Sequence, residues 1–152
     1  RAGPRGAARD RLHRDHELLV LNTHWDHVSE SARRQSATLI RQRLAAIAPD
    51  LPAIVLGDLN TPEDSTAYRE LVEKGSPGER QLIDSYRAVH PQPSPEEATF
   101  HDWKGTTAGS RIDFILHTND FRATAADIVR ISHDGLWPSD HYPVTATLVS
   151  TP

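Results

Sequence analysis

Four short apolar or alternating runs in this chain each adjoin a cluster of carboxylates, amides and imidazoles, and that repetition constrains the fold more than any other feature. The runs are "LLVL" before "NTHWDH" (18–27), "AIVL" before "GDLN" (53–60), "FIL" after "SRID" (110–116) and "VTATLV" after "SDHYP" (139–149). An unbroken apolar run of this length suits a strand covered on both faces, whereas alternation suits one that is half-covered. Polar groups at a strand's end are held rigidly by the sheet yet stay open to a ligand. Each cluster alone is a weak signal, since Gly-Asp usually marks a turn and Asp beside His usually marks a hydrogen bond.

Between the runs the sequence switches to helical spacing. Ser29 or Ser31 caps a helix with apolar positions at Leu39, Ile40, Leu44 and Ile47, stopped by Pro49. Arg33, Arg34, Arg41 and Arg43 fall on its other face and are expected in solvent, apart from Arg33, which lies near the polar loop. "STAYRELVEKG" predicts a shorter helix with Asp64 or Ser65 as cap and Gly75 as stop. Residues 76–110 are rich in Pro, Gly and Ser and read as loop around a helical turn near Leu82–Val89. "RIDFILHT", "ATAADIVRIS" and "HYPVTATLV" read as strands. Strand, helix, strand, helix and three strands predict a mixed α/β sandwich, and 152 residues suffice for one core.

Composition removes several functions. Without cysteine there is no thiolate chemistry, disulfide or cysteine zinc site. No apolar run approaches the ~20 residues of a membrane span. With 17 Lys+Arg against 21 Asp+Glu, a net charge of −4 argues against an overall grip on nucleic acid but leaves room for a local basic groove. Arg1, Arg5, Arg9, Arg11 and Arg14 sit among Gly and Pro in residues 1–14, which read as a flexible, solvated arm, with polyanion binding as the alternative. A chain that begins with Arg1 and contains no methionine reads as part of a longer one, so cytoplasmic and secreted compartments both stay open.

The clusters share a chemistry. Asp and Asn oxygens suit a hard cation such as Mg2+ or Mn2+, which also binds phosphate oxygens. Histidine beside aspartate makes an oriented general base. A further imidazole and an amide can donate to a phosphoryl group as its charge develops. Together they describe hydrolysis of a phosphate ester.

In this order the four clusters resemble the C-terminal motifs of the endonuclease/exonuclease/phosphatase superfamily, the DNase I-like metal-dependent phosphoesterases. The likeness runs from about Gly6 to Val149 and includes Arg33 and the "TFHDWKG" segment. It implies a four-layer α/β/β/α sandwich. By the same resemblance His24 contacts the scissile phosphate, Asp58 orients or deprotonates the attacking water and touches metal, and Asn60 is its phosphate-contacting partner. His141 is the general base or a phosphate-binding histidine, Asp140 a metal carboxylate, and Asp113 the carboxylate that orients His141. Asn22, Asp26 and Arg33 support the loop, and Trp25 packs.

Family members carry their principal metal-binding glutamate, with an earlier asparagine, in an N-terminal half that has no counterpart here. Glu17 precedes a strand and is a poor substitute. The resemblance therefore implies one C-terminal portion of a single domain, an incomplete sandwich, weak or absent activity on its own, and an apolar face open to self-association or to a complementing N-terminal half. Its substrate would be a phosphorylated small molecule or a nucleic acid. The alternative is a noncatalytic phosphate-binding or scaffold fragment.

Overall fold

The structure, a computed structural model, describes residues 17–73 and 80–151; the arginine-rich opening and Gly75 lie outside the described residues. The elements are β1 (Leu19–His24), α1 (Glu30–Ile47), β2 (Ala53–Asp58), α2 (Thr66–Val72), β3 (Ile83–Asp84), α3 (Ser85–Val89), β4 (Asp113–His117), β5 (Phe121–Ile128) and β6 (Val144–Ser150). They build two sheets, one ordered β1-β2-β4-β3 and the other a β5-β6 ribbon. β1 and β2 run parallel, joined through α1, as a parallel pair requires, and β4 returns antiparallel to β2. This is the mixed α/β architecture expected from the sequence. No helix among the described residues is long and apolar enough to cross a membrane.

Strand alternation gives the large sheet two different faces. Leu19, Leu21, Ala53, Val55, Phe114 and Leu116 point toward α1 and α2 and form the core with Ile40, Leu44, Tyr68 and Leu71. The other face carries three cross-strand rows: Val20–Ile54–His117, Asn22–Leu56–Ile115 and His24–Asp58–Asp113. The ribbon approaches this second face at β4, where Asp113 and Ile115 line a narrow cleft with Asp127, Val144 and Thr145. Leu18 and Val20 of the β1 edge stay 45% and 52% exposed. The expectation of a strand covered on both faces is therefore corrected: the ribbon packs near β4, not over β1.

The helices also shift the expected burial. Ser29 caps α1, its hydroxyl accepting from Ala32 N, and Ser65 caps α2 in the same way through Tyr68 N. The buried stripe of α1 is Ala37, Ile40 and Leu44, while Leu39 and Ile47 stay exposed. Positions spaced three and four apart share a face, and the small Ala37 lets the helix approach the sheet. Arg41 is not a solvated side chain. Its Nη1 donates to the carbonyls of Leu71 (3.1 Å) and Glu73 (2.7 Å) at the end of α2, and Arg34 pairs with Glu70 at 2.6 Å.

Toward the C-terminus, β5 stops at Ile128 instead of Ser132, and β6 begins after Pro143, which has no N–H for a ladder. Between them Asp134 and Gly135 take positive φ, and His133 and Leu136 pair across the turn. This leaves residues 139–142 free to bend back over the end of the large sheet.

Candidate active site

The last cross-strand row is the foundation of the site. His24, Asp58 and Asp113 sit side by side on β1, β2 and β4 because the register pairs His24 with Asp58 and Asp58 with Asp113. That row requires the two parallel strands to approach closely just before it. Gly57, at φ +140, lies so near the Thr23 carbonyl that any Cβ would collide with it. Beyond β2 the chain turns sharply: the Asp58 carboxylate accepts from Asn60 N (2.8 Å), and Asn60 occupies the left-handed region at φ 47, which asparagine tolerates. The Asn60 amide then donates to the Trp25 carbonyl at 2.9 Å, and Trp25 N donates to the Asp58 carbonyl at 2.9 Å. The loops after β1 and β2 are thus tied to each other. Trp25, 3% exposed, packs into the core as expected.

His141 arrives from the segment before β6. Its Nδ1 lies 2.8 Å from Asp113 Oδ2, and its Nε2 faces Asp58 Oδ2 at 3.9 Å. His24 Nε2 approaches the same Asp58 oxygen at 3.5 Å, with its own ring largely open to solvent. His141 N donates to the Ser139 hydroxyl, and the Phe100 ring packs 5.0 Å from the imidazole. Burial works against the imidazolium, but the hydrogen bond and charge of Asp113, joined by Asp58 and Asp140, outweigh it and raise the pKa of His141. Burial also raises the pKa of Asp113; the nearby Asp58 charge adds to it, and the bonds to His141 and Thr99 only partly oppose it. Two adjacent carboxylates thus favour retention of a proton on the His141–Asp113 pair.

The set fits a divalent cation. One ligand atom each from Asp58, Asp113 and His141 lie within 4.8 Å of one another, supplying two hard oxygens and one imidazole nitrogen. Asp113, expected only to orient His141, belongs to this trio. Asp140, expected as a metal carboxylate, does not: its side chain accepts from the Ser139 hydroxyl, and its backbone carbonyl accepts from His101 N.

Of the other predicted residues, Asp26 and Arg33 brace the loop after β1. Asp26 Oδ1 accepts from Val28 N and Ser29 N, and those bonds lower its pKa. Arg33 donates to the Asp26 carbonyl at 3.0 Å and pairs with Glu30. Asn22 stands on the same face of β1 as His24, one row away from the His24–Asp58–Asp113 row. His27 is exposed in the loop after β1.

One positioning group escaped the sequence reading. Thr99, fully buried, accepts through its hydroxyl from Ile112 N (2.9 Å) and Asp113 N (3.1 Å), while its carbonyl accepts from Tyr142 N (2.7 Å). It therefore holds the starts of the Asp113 and His141 segments together. The one available signal was its place in "TFHDWKG", directly before the aromatic that meets His141.

Comparison with known proteins bears on the fold and the family. No curated protein matches the sequence. The mannosyl-6-phosphatase of Bacteroides thetaiotaomicron is 27% identical and superposes with a TM-score of 0.71, covering 86% of this chain and 50% of that one. The endonuclease/exonuclease/phosphatase from Bacteroides vulgatus is 32% identical, with a TM-score of 0.70 over 84% of this chain and 48% of that one. The human Nocturnin catalytic domain, 21% identical over 86% of this chain and 46% of that one, shares the fold with a TM-score of 0.65. The chain thus spans about half the length of the solved structures it matches. The family model described as the Endonuclease/Exonuclease/phosphatase family matches residues 2–141, nearly the entire length, and the chain belongs to that family.

Proposed function

We propose that this chain carries the phosphate-gripping part of a phosphoesterase that works with Mg2+ or Mn2+. The observation that supports this best is the row His24–Asp58–Asp113 closed by His141, 2.8 Å from Asp113. Asp58 and Asp113 would hold the cation, joined by His141 while its ring is neutral. When bound, such an ion neutralises charge on phosphoryl oxygens and makes a coordinated water more acidic.

The chain's own groups divide the remaining work. His24, Asn60 and protonated His141 donate to the phosphoryl oxygens, where negative charge grows during the reaction. Asp58 takes the proton of the attacking water. Asp113 fixes the His141 ring and stabilises its charge, so His141 serves the phosphoryl group while protonated and is a ligand for the ion only while neutral.

For substrate, the net charge of −4 favours a phosphorylated small molecule over duplex DNA. The likeness to a mannosyl-6-phosphatase makes a sugar phosphate the first to test. Inorganic phosphate, titrated calorimetrically with Mg2+ present, reads the grip without requiring turnover. The wild-type chain binds it, and His141→Ala or His24→Ala weakens binding by about tenfold, the scale of one charge-assisted hydrogen bond. Equal affinity in all three proteins would contradict the assignment. Phosphate release from mannose 6-phosphate by the complete protein then tests the substrate.

A further inference from the structure

Beside the site lies an ionic cluster that none of the assigned roles uses. Arg111, 2% exposed at its side chain, donates to both oxygens of Asp84 (3.1 and 2.7 Å) and to Glu63 Oε2 (2.7 Å). Arg87 donates to both oxygens of Glu63 (3.1 and 2.7 Å) and to Glu97 Oε2 (2.6 Å). Among the described residues, Glu63 is the carboxylate that the two guanidinium groups share. Such paired, charge-assisted bonds fix geometry as well as supply energy.

The segments that meet here are those that carry the site. Glu63 closes the loop that begins with Asp58 and Asn60, Arg111 stands two residues before Asp113, and Glu97 stands two before Thr99, whose hydroxyl accepts from Asp113 N. The loop has reason to move. Asp58 and Asp113 are like-charged neighbours across β2 and β4, and Asn60 holds a left-handed conformation. Opposing this, Leu59 N donates to the Ile112 carbonyl at 2.8 Å, and a few residues on, Glu63 is clamped from two sides.

We infer that Glu63 is a positioning residue: pinned between Arg87 and Arg111, it holds the Asp58–Asn60 loop against the Asp113 strand and keeps Asp58 in register with His24 and His141. The inference rests on the phosphoesterase reading of those residues. The fold has other anchors in the same cluster, because Asp84 caps α3, accepts from the Tyr68 hydroxyl and retains Arg111, while Glu97 retains Arg87. Removing the Glu63 carboxylate leaves neither guanidinium without an anion, so its loss falls on the loop.

Two substitutions separate charge from clamp. Glu63→Gln removes the charge, and Glu63→Asp keeps it but shortens the reach so that one carboxylate no longer spans both guanidinium groups. Three quantities are compared with wild type: calorimetric Mn2+ affinity well below the melting temperature, the melting temperature, and amide exchange at Leu59 and, as a core reference, Val55. The expected result is Mn2+ affinity lower by about tenfold in both variants, as for partners that orient ligands from behind, with faster exchange at Leu59, unchanged protection at Val55 and a melting temperature within a few degrees. Wild-type affinity and Leu59 exchange in both variants would overturn the inference. So would a loss in the Gln variant alone, which would assign the effect to charge; if that variant does not fold, the Asp variant decides. If wild type binds no Mn2+, the metal site assigned to Asp58, Asp113 and His141 fails on its own, and Leu59 exchange still decides whether the clamp exists.

Discussion

At the scale of single residues, protonation of the His141–Asp113 pair has a definite sign. The folded pKa of His141 is raised above 6.5, so folding favours the imidazolium. That contribution to stability is complete below the ordinary histidine value and is lost as pH rises through the raised one. Asp113→Asn removes the anion that holds the charge. Its expected outcome is a His141 pKa shifted downward, read by NMR titration of the imidazole, together with a weaker decline of urea stability between mildly acidic and mildly alkaline pH. A His141 titration unchanged by the substitution would show that Asp113 does not control it. This scale was also the most legible in sequence: His24, Asp58 and Asp113 stand at strand ends, with Asn60 just past β2 and His141 just before β6, where an apolar run announces them. Thr99, Arg111 and Glu63 were not legible. A hydroxyl that receives backbone N–H groups, and ion pairs between residues 24 and 48 positions apart, leave no local periodic trace.

At the scale of elements, one glycine sets the spacing of the His24–Asp58–Asp113 row. Gly57→Ala puts a methyl group against the Thr23 carbonyl and demands φ +140 of a residue with a side chain. The expected cost is about 3 kcal/mol or more, from strain and a parted β1–β2 pair, seen as a lower urea midpoint and a loss of phosphate affinity. A stability within experimental error of wild type would mean that the two strands can separate there without consequence. Strand and helix identities followed from apolar run length, caps and periodicity, except that the expected helical turn at Leu82–Val89 opens with the two-residue strand β3, which pairs with β4, before α3 begins at Ser85. The burial register of α1 did not, because Ala37 carries little hydrophobic signal while Leu39 and Ile47 carry much, and the close approach of helix to sheet selects the small residue. Arg41 misled for a related reason: nothing in the sequence of α1 reveals that the carbonyls ending α2 lie within its reach.

At the scale of the whole molecule, the large sheet presents two kinds of surface on one side. Its end carries the polar row, and its β1 edge carries Leu18 and Val20 in the open. The chain covers about half of its solved relatives, and exposed apolar strand surface favours association. Leu18→Ser with Val20→Ser should therefore reduce concentration-dependent association in sedimentation velocity while leaving phosphate affinity unchanged, because neither side chain belongs to the His24–Asp58–Asp113 row. Association undiminished by the pair of substitutions would place the contact elsewhere. The sandwich itself was legible from element order. The edge left uncovered among the described residues was not, since an unbroken apolar run reads the same whether or not a second layer lies over it.

The central claim is that three adjoining strand ends and the segment before β6 make one site for a divalent ion and a phosphoryl group. Paramagnetic broadening by substoichiometric Mn2+ in the amide NMR spectrum tests it most directly. The account predicts broadening concentrated at His24, Asp58 to Asn60, Asp113 and His141, and reversed by excess Mg2+. Broadening spread over exposed carboxylates such as Glu70 and Asp134, with those six signals spared, would contradict it.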